Sequence, residues 1–230
     1  MKTLVFGAAG HIGKHVCVKL AEAGTEVVAL VKSSTQLITF EQHILVSYYD
    51  VTTRQRGIDP VTTSPVGAII YCVGHCPKGG FLSAISLPLS QFPADELAME
   101  LAMHVAGPLN VFQEFLPVMN DGGCFLFMSS AATRLLSVPR EARPPIQIYH
   151  HLAAIAAEDA LIEGMRMDPE VKRRGIKVHR IMPPAIRDSP FHEVSNGPKL
   201  PVTVTTAQVV DAIVSSGLPA QDHANITMVP

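Results

Sequence analysis

Gly7, Gly10 and Gly13 fall as G-x-x-G-x-x-G between an apolar run at residues 3–6 and a helical pattern at 12–21. Strand, glycine turn and helix in that order suit a dinucleotide pyrophosphate. Gly7 lets the chain turn tightly, Gly10 lets the backbone approach the phosphates, and Gly13 lets the helix pack close to the strand. His11 and Ile12 stand at the helix N-terminus, where free N–H groups attract an anion. The spacing departs from the standard G-x-G-x-x-G. A second chemical signal closes the next apolar run, at 26–31. An acid there would accept the adenosine ribose hydroxyls and favour NAD, but between Val27 and Gln42 the only acid is Glu41. Lys32 instead offers a cation to a 2′-phosphate, with Ser33 and Ser34 as further donors, so NADP(H) is preferred over NAD(H). Cys72, His75 and Cys76 fit no common zinc spacing. Buried thiols are expected there, and no metal is assigned.

These residues need elements to hold them. Apolar runs at 3–6, 26–31, 43–49, 67–73, 122–130 and 175–182 read as strands, the last stopped by Pro183 and Pro184. A further strand is expected at 224–229. Helical patterns lie at 94–119, with Leu97, Leu101, His104 and Val105 on one face, at 148–167 and at 205–217. Segments 77–93, 134–145 and 185–201 read as loops. Continuous apolar strands alternating with helices mean a parallel sheet covered on both faces. The expected fold is a doubly wound, Rossmann-like α/β sheet of about seven strands in a single domain spanning 1–230.

Composition narrows the function classes. The chain has 230 residues, 47% of them hydrophobic and 17% charged, which suits a packed globular domain. A formal charge of −2 gives no basic field for nucleic acid or an anionic membrane. Gly7 and Gly10 break the N-terminal apolar run too early for a signal peptide, and no stretch reaches a membrane span. Four scattered cysteines argue against a disulfide framework, so the cytoplasm is the expected compartment. The cluster Lys172-Arg173-Arg174 reads as a solvated turn.

The order of elements resembles the short-chain dehydrogenase/reductase family over essentially the whole chain, the glycine turn looking like its atypical or extended variant. Asp50-Val51-Thr52 is similar to the family's Asp-Val-Thr segment, which implies that Asp50 and the backbone of Val51 hold the adenine. Gly74 closes the fourth strand as the family's Asn-Asn-Ala-Gly does, with Tyr71-Cys72-Val73 in place of the first three residues. Residues 105–110 match the helix of the active-site Asn, whose own position is taken by His104. Residues 128–132 look like the end of the catalytic-serine strand, which implies that Ser130 orients a substrate carbonyl, with Ser129 the next choice. Tyr149 falls at the general acid/base, and Pro183 in the segment that closes the sixth strand beside the cofactor.

The Tyr-x-x-x-Lys motif is incomplete, because residue 153 is Ala and no Lys occurs between Lys78 and Lys172. In the family that ammonium holds the nicotinamide ribose and favours the tyrosinate by direct charge interaction. Its loss should weaken alcohol oxidation, which needs the base form, more than carbonyl reduction. A Lys introduced at 153 is expected to overpack a site sized for a methyl group. His150 and His151 are assigned to the helix surface or an interface. His104 is either a proton carrier or a satisfied interior histidine. Three readings stay open: a reductase of a ketone or aldehyde, a non-catalytic dinucleotide-binding sensor or assembly protein, and a non-redox proton-transfer enzyme. Partners are a small-molecule substrate and a second copy. Related enzymes pair through the helices at 94–119 and 148–167, and Ala153, Ala154, Ala156, Ala157 and Ala160 offer a small-residue surface for a homodimer or homotetramer.

Overall fold

Strands β1 (Lys2–Phe6), β2 (Glu26–Val31) and β4 (Val66–Tyr71) are buried along almost their whole length, as strands covered on both faces must be. The computed structural model describes residues 1–34, 39–40, 44–57, 65–74, 88–139, 141, 149–189, 203–216 and 225–227. With β3 (Leu45–Tyr48), β5 (Met119–Met128), β6 (Lys177–Met182) and β9 (Asn225–Thr227), these strands form one seven-stranded sheet in the order β3-β2-β1-β4-β5-β6-β9. All its pairings are parallel. The order reverses between β1 and β4, and that switch point opens a crevice at the carboxyl edge of the sheet.

Strand alternation sorts the core into two layers. Val5 packs with Ile12, Val16 and Leu20 of α1 (His11–Glu22) and with Val209 and Ile213 of α6 (Thr206–Ser216). Leu4 and Phe6 face the opposite way, toward Phe112 and Phe115 of α3 (Gly107–Phe115) and the layer holding Ile162 of α4 (Tyr149–Met167). The short α5 (Pro169–Arg173) is capped by Asp168, whose carboxylate accepts from the Glu170 and Val171 amides. Among the described residues, no helix is long and apolar enough to cross a membrane.

Several boundaries differ from the sequence expectation for local reasons. The helix expected at 94–119 is broken: α2 (Ala94–Leu101) gives way to a π turn at Ala102–Ala106, then α3, then a 3₁₀ turn at Leu116–Val118, and Met119 already belongs to β5. The buried face of α2 carries Glu96 and Glu100, while Leu101 is exposed. The Tyr71 hydroxyl, fully buried, donates to the Met103 carbonyl at 2.5 Å inside the π turn. Thr205 precedes the last helix and caps it. Its hydroxyl accepts from the Gln208 amide while Gln208 Oε1 accepts from the Thr205 amide, a reciprocal capping box. At the start of the segment expected as loop, β7 (Ala185–Ile186) pairs with β8 (Thr203–Val204), which follows that segment, strands too short to leave a periodic signal. Cys17, Cys72 and Cys124 are buried free thiols, and burial pushes those of Cys17 and Cys124 up to about 12. His75, Cys76 and most of the loop at 77–93 lie outside the described residues, as do 190–202 and most of 140–148.

Candidate active site

The glycine turn is built by close backbone approach. Gly7 has φ +76°, and a Cβ there would stand 2.8 Å from the Cys72 carbonyl oxygen, so β1 and β4 meet where only glycine fits. A Cβ on Gly13 would stand 2.3 Å from the Gly7 carbonyl oxygen, and one on Gly10 at 3.1 Å from the same atom. The Gly7 and Ala8 amides both donate to the Leu30 carbonyl at 3.1 Å, tying the turn to β2. Gly10 is the N-cap of α1, so no side chain satisfies the first-turn N–H groups, and the first turn holds no acid to repel an anion. His11 Nε2 donates to the Thr206 hydroxyl at 2.8 Å, and that hydroxyl donates to Asp188 at 2.9 Å, which anchors the turn to α6. The cradle fits a pyrophosphate.

The other residues singled out from the sequence line the same edge. Lys32 follows β2 and is exposed. Asp50 follows β3. Burial works against its carboxylate, but the Thr52 hydroxyl, the Thr52 and Thr53 amides and the Lys32 charge hold its pKa below the ordinary value. The Val51 carbonyl accepts from Asn110 Nδ2 at 2.8 Å, so α3 braces the loop after β3. Gly74 lies just beyond β4, and Pro183, just beyond β6, accepts at its carbonyl from the Ala131 amide at 3.0 Å.

Ser129 and Ser130 leave the end of β5 in different company. The Ser129 hydroxyl is buried and donates to Asp159 Oδ1 at 3.1 Å, and Asp159 is paired with Arg180. Ser130 caps the 3₁₀ turn Ala131–Ser137, its Oγ accepting from the Ala132 amide at 3.2 Å, which leaves the hydroxyl proton to be donated. Tyr149 is the first residue of α4 and is 44% exposed. Ala153, one turn on, is exposed rather than packed, which corrects the overpacking expectation.

His104 is interior, and His150 and His151, expected at the helix surface or an interface, lie deeper than a surface reading allows. His150 is buried, its ring stacked on Phe92 with centroids 3.9 Å apart. His151 Nδ1 lies 3.1 Å from Glu100 Oε2, and His104 Nδ1 lies 3.5 Å from Glu158 Oε2, with the two imidazoles edge to face at 5.7 Å. Glu100 and Glu158 are both 0% exposed. Burial disfavours the charged imidazolium of His104, yet the carboxylates of Glu158 and Glu100 outweigh it and raise the pKa. Burial raises the Glu158 pKa, and the neighbouring imidazoles offset it only in part. Burial would raise that of Glu100 as well, but His151 and the other histidines hold it below the ordinary range. Sequence reasoning missed the two acids, because a Glu in a helix carries no mark of burial. It also missed Asn110, Asp159 and Thr206, whose only signal is the bond each makes across the fold.

The family model described as short chain dehydrogenase matches residues 2–198. No curated protein matches the chain. Among solved structures, the protein lin1944 from Listeria innocua aligns with a TM-score of 0.69 at 20% identity, with 100% of each chain covered. A short-chain dehydrogenase/reductase from Vibrio parahaemolyticus aligns with a TM-score of 0.74 at 14% identity, covering 99% of this chain and 98% of that one. An alcohol dehydrogenase from the archaeon Thermococcus sibiricus, complexed with 5-hydroxy-NADP, gives 0.69 at 14% identity, covering 99% and 95%. Identities this low speak for the fold alone.

Proposed function

From the membership of this chain in the short-chain dehydrogenase family, we propose an NADP(H)-dependent oxidoreductase that reduces a ketone or aldehyde. The observation that carries the reading is convergence. The glycine cradle, Lys32, the Asp50–Val51 loop and Ser130 come from separate strands yet share the carboxyl edge around one switch point. In this reading the α1 N-terminus and the glycines hold the pyrophosphate, with His11 and Ile12 at its entry. Lys32 meets the 2′-phosphate, and Asp50 with the Val51 backbone meets the adenine. Gly74 and Pro183 border the nicotinamide half. The bound dinucleotide supplies a hydride to the carbonyl carbon. Ser130 donates its hydroxyl proton in a hydrogen bond that orients the carbonyl oxygen, and the Tyr149 phenol donates the proton that oxygen needs. His104, enclosed against Glu158, is given no proton-carrying role.

Cofactor choice tests the reading directly. NADPH is expected to bind more tightly than NADH, and Lys32→Ala to remove about 1.5–3 kcal/mol from NADPH alone, roughly a 10–100-fold rise in Kd. Calorimetric titration of both cofactors against both proteins measures this. Equal affinities in the wild type would sink the NADP(H) assignment.

A homodimer, or a tetramer built from it, belongs to the same reading. The expected alanine surface divides in the fold: Ala154 is buried against the core, whereas Ala153, Ala157 and Ala160 form a partly exposed strip along α4. Met99 and Leu101 are exposed on the neighbouring α2. Sedimentation at micromolar concentration is expected to give a dimer or tetramer, and a monomer there would remove the assignment.

A further inference from the structure

We propose that Glu100, His104 and His151 form a binding site for one divalent transition cation, Zn²⁺ by donor chemistry, which clamps α2 and its π turn to the first turn of α4, with Glu158 supporting His104 from behind. One donor atom each from Glu100, His104 and His151 lie within 4.8 Å of one another, and the Glu158 carboxylate backs His104, its Oε2 3.5 Å from His104 Nδ1. A tetrahedral cation with bonds of about 2.1 Å sets its donors about 3.4 Å apart, close to the 3.1 Å between His151 Nδ1 and Glu100 Oε2. Two imidazole nitrogens and one carboxylate oxygen are a donor set that zinc takes.

A second observation points to a ligand here. Among the described residues, Oε1 of the fully buried Glu100 finds no hydrogen-bond partner, and neither do His104 Nδ1 and the two oxygens of Glu158. A buried carboxylate left so is costly, and a bound ion is one of the few remedies. The charges agree as well: two carboxylates and two neutral imidazoles carry −2, which one dication neutralises. Glu100 and His104 are buried and His151 is 17% exposed, and the three protein donors leave the fourth position to water. The cation would join α2 to α4, and its effect on catalysis runs through the placing of α4, which begins at Tyr149.

The competing occupancy is protons alone, shared among these side chains. Chelator-treated protein titrated with Zn²⁺ by calorimetry, and with Co²⁺ by visible absorption, separates the two. One equivalent per chain, an intense four-coordinate cobalt band and a raised Tm are expected. Glu100→Gln and His151→Gln, both near in size to the residues they replace, should each weaken binding more than about 100-fold. His15→Gln serves as the control, because His11 and His15 lie ring to ring on the surface of α1 and offer an adventitious pair. No saturable one-equivalent binding, or binding that survives both cluster variants, or binding lost only in His15→Gln, overturns the proposal.

Discussion

Gly13→Ala is expected to weaken dinucleotide binding severely and to lower stability. The new methyl carbon would stand 2.3 Å from the Gly7 carbonyl oxygen and 2.8 Å from its carbon. Both obstacles are backbone, so no side-chain rotation relieves the contact. Either α1 moves outward or the turn opens, and each displaces the N–H groups that would meet the pyrophosphate. Overpacking of this kind typically costs about 1–3 kcal/mol of stability. A misplacement of about 1 Å in a positioning element is worth about 100-fold in function, and the same is expected of NADPH affinity. Gly10→Ala is the graded comparison, since its added carbon would lie 3.1 Å from the same oxygen. Urea unfolding and NADPH calorimetry on the two variants should rank Gly13→Ala well below Gly10→Ala. If Gly13→Ala binds NADPH as the wild type does, the turn is not the pyrophosphate cradle.

Tyr149→Phe is expected to lower carbonyl reduction by about 100- to 10,000-fold, the range over which a positioned acid usually contributes. The substitution removes one oxygen from a side chain already 44% exposed, so stability should barely change. Ala153→Lys probes the same chemistry from the other side. Because Ala153 is exposed, the longer side chain extends outward without displacing core atoms. An ammonium one helical turn from the phenol favours the tyrosinate, so alcohol oxidation should gain at lower pH while reduction gains less. The measurement is a pH–rate profile in both directions for the wild type and the two variants. Rapid wild-type turnover that Tyr149→Phe leaves unchanged would remove Tyr149 from the mechanism. Three inert proteins that still bind NADPH would favour the non-catalytic reading.

The sheet was legible because its strands are apolar on both faces. Residues 26–31 and 67–73 announce two-sided burial by composition alone, and β2 and β4 lie within a residue or two of those limits. The glycine turn was legible for a different reason: glycine reports a backbone requirement, and Gly7 and Gly13 meet it by direct contact. What stayed hidden depends on partners far along the chain. Leu97 and Leu101 suggested the inner face of a helix, but Glu96 and Glu100 occupy it. His150 looked like a surface residue until Phe92, far upstream, stacked on it. Ser129 and Ser130 are equivalent as letters, and only the position of Asp159 distinguishes their hydroxyls.

The π turn at Ala102–Ala106 has a consequence of phase. In a regular helix each residue advances about 100°, so Glu114, fourteen positions after Glu100, would return to nearly the same direction. A π turn absorbs about one extra residue, which sets everything after it back by roughly 100°. Glu100 accordingly looks toward His151 on α4, while Glu114 accepts from the Tyr49 hydroxyl and pairs with Arg56, and Asn110 and Gln113 receive Arg54, all beside the end of β3. One continuous run of chain thus serves two regions that a uniform screw could not face together. The number of residues between Glu100 and Asn110 is therefore held as firmly as their identity. A single deletion there would rotate one set of contacts away from its partners even if every side chain in both sets were kept.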